Sequence, residues 1–184
     1  MTRYFAFLRA LNVGGHTVKM TELAAEFELL GFDDVETFIA SGNVIFGATG
    51  RGSTDGGALE RRIEARLQDT LGYEVRTFLR TDAELLAIHE TVPFPDVVAR
   101  DGDTLQVGFL PEPPTIEVTD AVAALSSDHE HLVVLGRELY WLIHGNSLDT
   151  AVKPGVMRRA LDGMPLTARN VKTVRRLVDK YGLT

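Results

Sequence analysis

The sequence predicts an α+β protein built from two similar halves with a further helix at its C-terminus. Three observations predict this class. The hydrophobic patterns of the first half follow the order β-α-β-β-α-β, the same order returns after residue 104, and a helical pattern closes the chain. This order is that of the split βαβ, or ferredoxin-like, unit, in which both helices cover one face of an antiparallel sheet. We therefore expect two tandem ferredoxin-like halves packed together.

The first half, predicted over residues 1–90, begins with a strand from Tyr4 to Arg9 that is apolar on both faces. Such a strand is usually covered on both sides. The other predicted elements are a helix that Gly31 stops, strands at 35–40 and 44–46 joined by a turn at 41–43, and a loop at 47–57. A helix before Gly72, a strand at 74–79 and a short helix capped by Thr81 and Glu84 complete this half.

The second half is predicted over residues 104–184, after a junction at 91–103 that contains Pro93-Phe94-Pro95. Its predicted strands lie at 104–110, 131–135, 138–143 and 166–168, and Gly136-Arg137 forms a two-residue turn. Its predicted helices are one capped by Thr119, one at 154–161 and one at 170–181. The repeat lies in the order of elements and not in residue identity.

Composition favours a folded cytoplasmic protein. The 184 residues are 45% hydrophobic and 24% charged, which suits a chain with a sizeable core. The absence of cysteine excludes disulfides and thiolate metal sites and is compatible with a reducing compartment. Arg9 interrupts the first apolar run, no cleavage site follows it, and no run approaches the length of a membrane span. We expect no membrane partner.

Charge is unevenly distributed along the chain. The net charge is -7, yet residues 157–184 contain seven basic and two acidic residues. The terminal helix is predicted to bury Val171, Val174, Val178 and Tyr181 and to present Lys172, Arg175 and Arg176 on its opposite face. Such a basic stripe binds nucleic acid or an acidic protein in some cases and only solvates a packed helix in others.

Five blocks of the chain resemble a known bacterial family, domain of unknown function 1697. They are F-L-R-A-L-N-V-G-G (Phe7 to Gly15), M-T-E-L (Met20 to Leu23), L-G-F-D-D-V-E-T-F-I-A-S-G-N-V-I-F (Leu30 to Phe46), P-F-P (Pro93 to Pro95) and T-A-R-N-V-K-T-V (Thr167 to Val174). The resemblance implies an α+β fold and no established activity, cofactor or catalytic residue. Two departures stand out: Ala10 replaces the family's usual glycine, and Val171 and Lys172 replace a Trp and an Asn.

A small anionic or nucleotide-like ligand, bound in the cleft between the halves, is the leading functional hypothesis. The turn from Asn12 to Gly15 can present backbone N–H groups to an anion at the start of a helix, or its glycines can simply permit a tight turn. Arg9 is predicted to lie on the Phe5 and Phe7 face, where a charge is costly unless it is paired or at a pocket. The candidate ligand contacts are Arg9, Asn12, Gly14, Gly15, Lys19, Arg169 and Asn170.

Other candidate chemistry is weaker. His129 and His131 have a spacing that allows chelation on one strand face, but no acidic pair completes a site, so no metal is predicted. His144, Ser147 and Asp149 are residue types used in hydrolysis, without a nucleophile-elbow pattern. We predict no cofactor. A nucleic-acid or protein interaction module that uses Lys172, Arg175 and Arg176, and an enzyme of unrecognised type, stay open as alternatives.

Overall fold

The computed structural model describes residues 1–12, 15, 17–39, 42–50, 52–98 and 100–184. The chain forms two compact units, Met1–Leu85 and Leu86–Thr184. Each unit contains a four-stranded antiparallel sheet. The domain bounds that the sequence suggests, 1–90 and 104–184, stay a prediction.

Unit 1 contains four strands and two complete helices. They are β1 (Thr2–Arg9), α1 (Met20–Leu29), β2 (Asp33–Thr37), β3 (Asn43–Ala48), α2 (Gly56–Leu71) and β4 (Arg76–Thr81). The helix α3 (Asp82–Glu90) begins in this unit and continues into the next. The strand order is β2-β3-β1-β4, so β1 and β3 are the central strands.

Unit 2 has the same order of strands and helices. Its elements are β5 (Thr104–Phe109), α4 (Ile116–Ala123), β6 (Glu130–Leu135), β7 (Glu138–Ile143), a 3-10 turn (Ser147–Asp149), α5 (Pro154–Ala160), β8 (Thr167–Asn170) and α6 (Val171–Tyr181). The strand order is β6-β7-β5-β8. The predicted α+β class, and the repeat of element order with a helix after it, are confirmed.

Both faces of β1 are buried, as its apolar pattern predicts. Tyr4, Ala6 and Leu8 pack in one cluster with α1 and α2, which contribute their buried faces to it: Leu23 and Phe27, and Leu59, Ile63 and Leu67. On the opposite face Phe5 and Phe7 are 1% and 0% exposed. Fully burying a side chain of this size stabilises a fold by about 1.5–3 kcal/mol, so β1 is central to the stability of unit 1.

The core of unit 2 lies between its sheet and the helices α4 and α5. Leu132, Val134 and Leu139 from the sheet pack with Val122 of α4 and Met157 of α5. The terminal helix α6 buries Val171, Val174, Leu177 and Val178, and Lys172, Arg175 and Arg176 are exposed. The predicted basic face is therefore present, with Leu177 and not Tyr181 among the buried residues.

Several predicted boundaries are wrong. The strand predicted at 35–40 lies at Asp33–Thr37, because a bulge follows Asp33 and the positive φ of Ile39, 51°, ends the extended chain. The helix predicted to begin at Thr119 is capped instead by Thr115, whose Oγ1 accepts a hydrogen bond from Val118 N. The extended backbone of Thr115 suits an N-cap, whereas Thr119 lies one helical turn inside.

Two local predictions, the capping box at the start of α3 and the hairpin turn between β6 and β7, are confirmed. Thr81 N donates to Glu84 Oε2 at 2.8 Å and Glu84 N donates back to Thr81 Oγ1 at 3.4 Å, which is the reciprocal pattern of a capping box. Leu135 pairs with Glu138, so Gly136 and Arg137 form a two-residue hairpin turn with a positive φ at Gly136.

The residue after β1, Ala10, has a left-handed backbone. Its φ is 64°, a conformation that costs a residue with a Cβ roughly 1–2 kcal/mol and costs glycine almost nothing. Ala10 is also the position at which the resembled family usually has glycine. The departure from the family pattern therefore introduces backbone strain at the exit of the central strand.

We expect Ala10→Gly to raise the free energy of unfolding by about 0.5–1 kcal/mol, because relief of the left-handed strain exceeds the entropy that glycine adds to the unfolded chain. Urea unfolding at pH 7 measures the change. Ala87→Gly, at an exposed position in the interior of α3, is the matched control and should destabilise by about 0.5–1 kcal/mol. An Ala10→Gly variant that is no more stable than the wild type contradicts the prediction.

Candidate functional site

An open pocket of about 410 Å³ lies in unit 1 between the end of α1, the end of β3 and the first turns of α2. It falls within the size range of small-molecule sites. The lining residues are Leu30, Gly31, Phe32, Ala48, Thr49, Gly52, Ser53, Ala58, Leu59 and Arg62.

The end of α1 forms one wall of the pocket. Gly31 has a φ of 75° and its N–H donates to Glu28 O at 2.8 Å, which ends the helix and turns the chain back. Phe32 then packs its ring against Phe46 of β3, with centroids 4.3 Å apart. A rigid aromatic wall results.

Arg62 is the only charged residue among the described residues that line the pocket. Its guanidinium lies 5.2 Å from the centroid of the Phe32 ring, within cation–π range, and donates a hydrogen bond to Leu30 O. These two contacts hold the exposed Arg62 side chain at the pocket, and a guanidinium has further N–H donors that a ligand can use.

Thr49, Gly52 and Ser53 form the opposite wall. Tyr4 Oη donates to Ser53 O at 2.9 Å, and Asp55 caps α2 by accepting a hydrogen bond from Ala58 N at 2.9 Å. Burial raises the pKa of the Tyr4 hydroxyl, and the negative charges of Glu84 and Asp55 raise it further. Tyr4 is thus a neutral donor that fixes the loop.

The residues that the sequence suggested in unit 1 have mainly local roles. Arg9 is exposed at the end of β1, so its charge stays in contact with solvent. Asn12 Oδ1 accepts a hydrogen bond from Val18 N at 3.0 Å, and Gly15 has a φ of 83°. Lys19 forms an exposed ion pair with Glu22 at 3.4 Å. Gly14 lies outside the described residues.

The two residues suggested in unit 2 lie at the junction of β8 and α6. Arg169 is partly buried and donates to Thr167 Oγ1 at 3.0 Å and to Ala168 O at 2.9 Å. Burial lowers the pKa of its guanidinium to about 10. Asn170 caps α6, its side chain accepting a hydrogen bond from Lys172 N at 2.9 Å. This Asn170 contact is explained by helix capping alone.

His144, Ser147 and Asp149 have separate partners. His144 Nδ1 lies 2.9 Å from Asp103 Oδ2, Ser147 Oγ donates weakly to Asn146 Oδ1 at 3.4 Å, and Asp149 Oδ2 accepts from Asn146 N at 2.8 Å. A Ser–His–Asp triad requires the serine and the carboxylate on opposite sides of one imidazole. These contacts do not form that arrangement.

The buried carboxylate of Glu130 holds the segment after the 3-10 turn to the sheet. Glu130 is 1% exposed and accepts hydrogen bonds from Trp141 Nε1 at 2.8 Å, Thr150 Oγ1 at 2.7 Å and Ala151 N at 2.9 Å. Burial of the carboxyl raises its pKa, but these hydrogen bonds together outweigh burial, and the net pKa is lowered. Glu130 is therefore a structural anion.

Among the described residues, no group of three or more His, Asp or Glu side chains is arranged to hold a metal ion. None of the described helices combines the length and the apolar character that a membrane crossing requires.

Sequence reasoning missed the pocket, since Phe32 and Arg62 are thirty positions apart and meet only when α1 and α2 pack on the same sheet. The one available signal was the glycine-rich stretch from Gly47 to Gly57 followed closely by Arg61 and Arg62. That stretch lacks the lysine of a phosphate-binding loop and therefore matched no known motif.

The two antiparallel sheets and six helices define an α+β protein with a repeated element order. A family model described as "Protein of unknown function (DUF1697)" matches residues 1–140, and the chain belongs to this family. The resemblance seen in the sequence blocks is thereby confirmed.

Among solved structures, a conserved bacterial protein from Streptococcus pneumoniae is similar to this chain, with 24% identity and a TM-score of 0.68. The match covers 97% of each chain and supports the fold. A comparison with curated proteins gives no match.

We expect Glu130→Gln to destabilise the protein by about 1–3 kcal/mol at pH 7, because the amide nitrogen cannot accept the donors that face the carboxylate. The lowered pKa means that the stabilisation by Glu130 is present above the ordinary carboxyl range and is lost as the pH falls through the lowered value. The difference in urea midpoint between wild type and variant should therefore shrink between pH 7 and about pH 3.

Glu112→Gln, at an exposed loop position, is the control and should leave the urea midpoint unchanged at both pH values. A difference between wild type and Glu130→Gln that is the same at pH 7 and pH 3 contradicts the assignment of a stabilising carboxylate.

Proposed function

We propose that this protein binds a small anionic ligand, with a planar or apolar part, in the pocket of unit 1. The observation that carries the proposal is the pairing of Arg62 with Phe32 in a pocket where no other described lining residue is charged. A guanidinium presents a planar fork of N–H donors that suits carboxylates and phosphates. The adjacent ring and Leu59 offer apolar surface to the rest of the ligand.

The sign of the local charge favours an anion even though the chain as a whole is acidic. None of the described lining residues is a carboxylate, and Ser53 adds a hydroxyl at the wall opposite Phe32, whereas the Thr49 hydroxyl already donates to Asp33 Oδ2 at 3.1 Å. Short-range hydrogen bonds to one guanidinium decide binding at such a site more than net charge does, because exposed charges beyond about 8–10 Å are screened by salt. A nucleoside monophosphate fits this chemistry in size and in charge.

The ligand class is the one that the sequence suggested, and Arg62 is an addition to the predicted contacts. Arg9, Asn12, Gly15, Lys19, Arg169 and Asn170 stay predictions as ligand contacts. A cytoplasmic location also stays a prediction.

We further propose that each unit is ferredoxin-like. The strand orders β2-β3-β1-β4 and β6-β7-β5-β8 support this, since each places the first and third strands of its unit at the centre of an antiparallel sheet. In unit 1 both α1 and α2 pack on the Tyr4, Ala6 and Leu8 face, which is the layer arrangement of that fold.

Thermal-shift measurements with AMP, inorganic phosphate and uncharged adenosine test the ligand proposal. We expect AMP to raise the melting temperature of the wild type and adenosine to raise it less. Arg62→Ala should weaken AMP binding by about 10- to 100-fold, since a hydrogen bond to a charged group contributes about 1.5–3 kcal/mol. Arg61→Ala, the neighbouring exposed arginine outside the pocket lining, should bind like the wild type.

No stabilisation of the wild type by AMP or phosphate, or equal binding by Arg62→Ala and Arg61→Ala, would retire the proposal. A loss of affinity in both variants would point to general electrostatic attraction and not to the pocket.

A second candidate function is the binding of nucleic acid through the exposed face of α6. The observation that favours it is that Lys172, Arg175 and Arg176 are all exposed on one helix that is anchored by its buried residues. Such a rigid cationic face can follow a phosphate backbone.

Arg175→Ala combined with Arg176→Ala should reduce retention on immobilised single-stranded RNA and DNA at about 50 mM salt, because each lost phosphate contact lowers the affinity and its salt dependence. Arg158→Ala with Arg159→Ala, an exposed pair in α5, is the control of equal charge. Retention that is unchanged by the α6 substitutions rejects nucleic-acid binding by this helix.

A further inference from the structure

Three side chains with ionisable groups meet at one end of the sheet in unit 2. His144, just after β7, places Nδ1 2.9 Å from Oδ2 of Asp103, just before β5. The two side chains are only 5% and 9% exposed. His131 of β6 lies edge-on to the His144 ring, with centroids 5.5 Å apart. This group, here called the Asp103 cluster, is separate from the pocket in unit 1.

The Asp103 cluster attaches the segment between α3 and β5 to the sheet. Asp103 Oδ2 accepts a hydrogen bond from Arg100 N at 2.8 Å, and Asp103 N donates to Arg100 O at 3.2 Å. Further along the same segment, the Phe94 ring lies 6.0 Å from the His131 ring. Release of Asp103 and His131 would therefore free the Phe94 ring and the segment Arg100–Asp103 from these contacts.

The charge states of the cluster depend on one carboxylate. His144 Nδ1 faces Asp103, so a hydrogen at Nδ1 is donated to the carboxylate and a second proton enters at Nε2. Protonation of both imidazoles would bring two positive charges together, with Asp103 as the neighbouring anion. A further imidazole, that of His129 just before β6, has its Nε2 3.2 Å from Asp149 O, and Arg100 contacts the cluster through its backbone N–H.

We propose that the Asp103 cluster is a pH-sensitive clamp that keeps the segment Arg100–Asp103 closed while the imidazoles take up protons and opens when Asp103 is itself protonated. The Asp103 carboxylate acts as the counter-charge, so that protonation of the imidazoles does not by itself open the segment. Without it, charging of His131 and His144 would open the segment.

The titration of Asp103 agrees with this order. Burial of the carboxyl raises its pKa, but hydrogen bonds from Arg100 N, from the His144 ring and from Gly145 N, together with the charge of His144, outweigh burial and lower the net pKa. A carboxyl with a lowered pKa stabilises the folded state above the ordinary carboxyl range, and this contribution is lost as the pH falls through the lowered value. The contribution of the Asp103 carboxylate is thus present at pH 5.5, above the ordinary carboxyl range.

Amide hydrogen exchange at Arg100 and Asp103, corrected for the intrinsic rate, measures opening of the segment. Between pH 7.5 and 5.5 we expect the corrected exchange rate of the wild type to change by less than about threefold. In Asp103→Asn we expect the rate to rise by about tenfold, which corresponds to a coupling of one pKa unit. Asp101→Asn, an exposed position in the same turn, should behave like the wild type. Adding His131→Gln to Asp103→Asn should abolish most of the rise.

Amide exchange in Asp103→Asn could instead be faster than in the wild type by the same factor at every pH. That result would show that Asp103 only makes a structural hydrogen bond, and it would overturn the proposal of a clamp. Failure of the added His131→Gln to reduce the rise would overturn it as well. If Asp103→Asn does not fold, the proposal is tested on the wild type alone. A tenfold rise in its corrected exchange rate between pH 7.5 and 5.5 rejects the role given to Asp103.

Discussion

The register between β1 and β3 is the constraint on which unit 1 depends. Tyr4 lies opposite Phe46, and the two rings stack with centroids 5.7 Å apart on the face that α1 and α2 cover. Phe46 in turn supports Phe32, the aromatic wall of the pocket. A slip of one residue would move Phe46 to the opposite face and remove that support. The pocket is thus a consequence of strand pairing and not of its loop alone.

Local signals predicted the elements well, because helical spacing, capping residues and hairpin turns act over a few residues. The faces of α2 and α6, the Thr81–Glu84 box and the turn at Gly136 are examples. Local signals failed to identify the N-cap of α4, because two nearby threonines, Thr115 and Thr119, can both cap a helix. They also failed at β2, whose bulge after Asp33 depends on its pairing with β3.

The burial of charge was the least predictable feature. Arg9 is exposed. Arg80, which no sequence pattern singled out, is 0% exposed and donates to Leu79 O at 2.8 Å. Glu130 is buried because its partners Trp141, Thr150 and Ala151 arrive from 11 to 21 residues away. Whether a charged residue in a strand is buried depends on partners that sequence spacing does not reveal.

The pocket and the basic face of α6 belong to different compact units, and each is built on contacts within its own unit. Arg62 is held by Phe32 and Leu30, whereas α6 is anchored by its apolar face and capped by Asn170. Energetic effects of substitutions that share no partners generally add. Binding at one site therefore gives no information about the other, and a protein with both functions would require separate evidence for each.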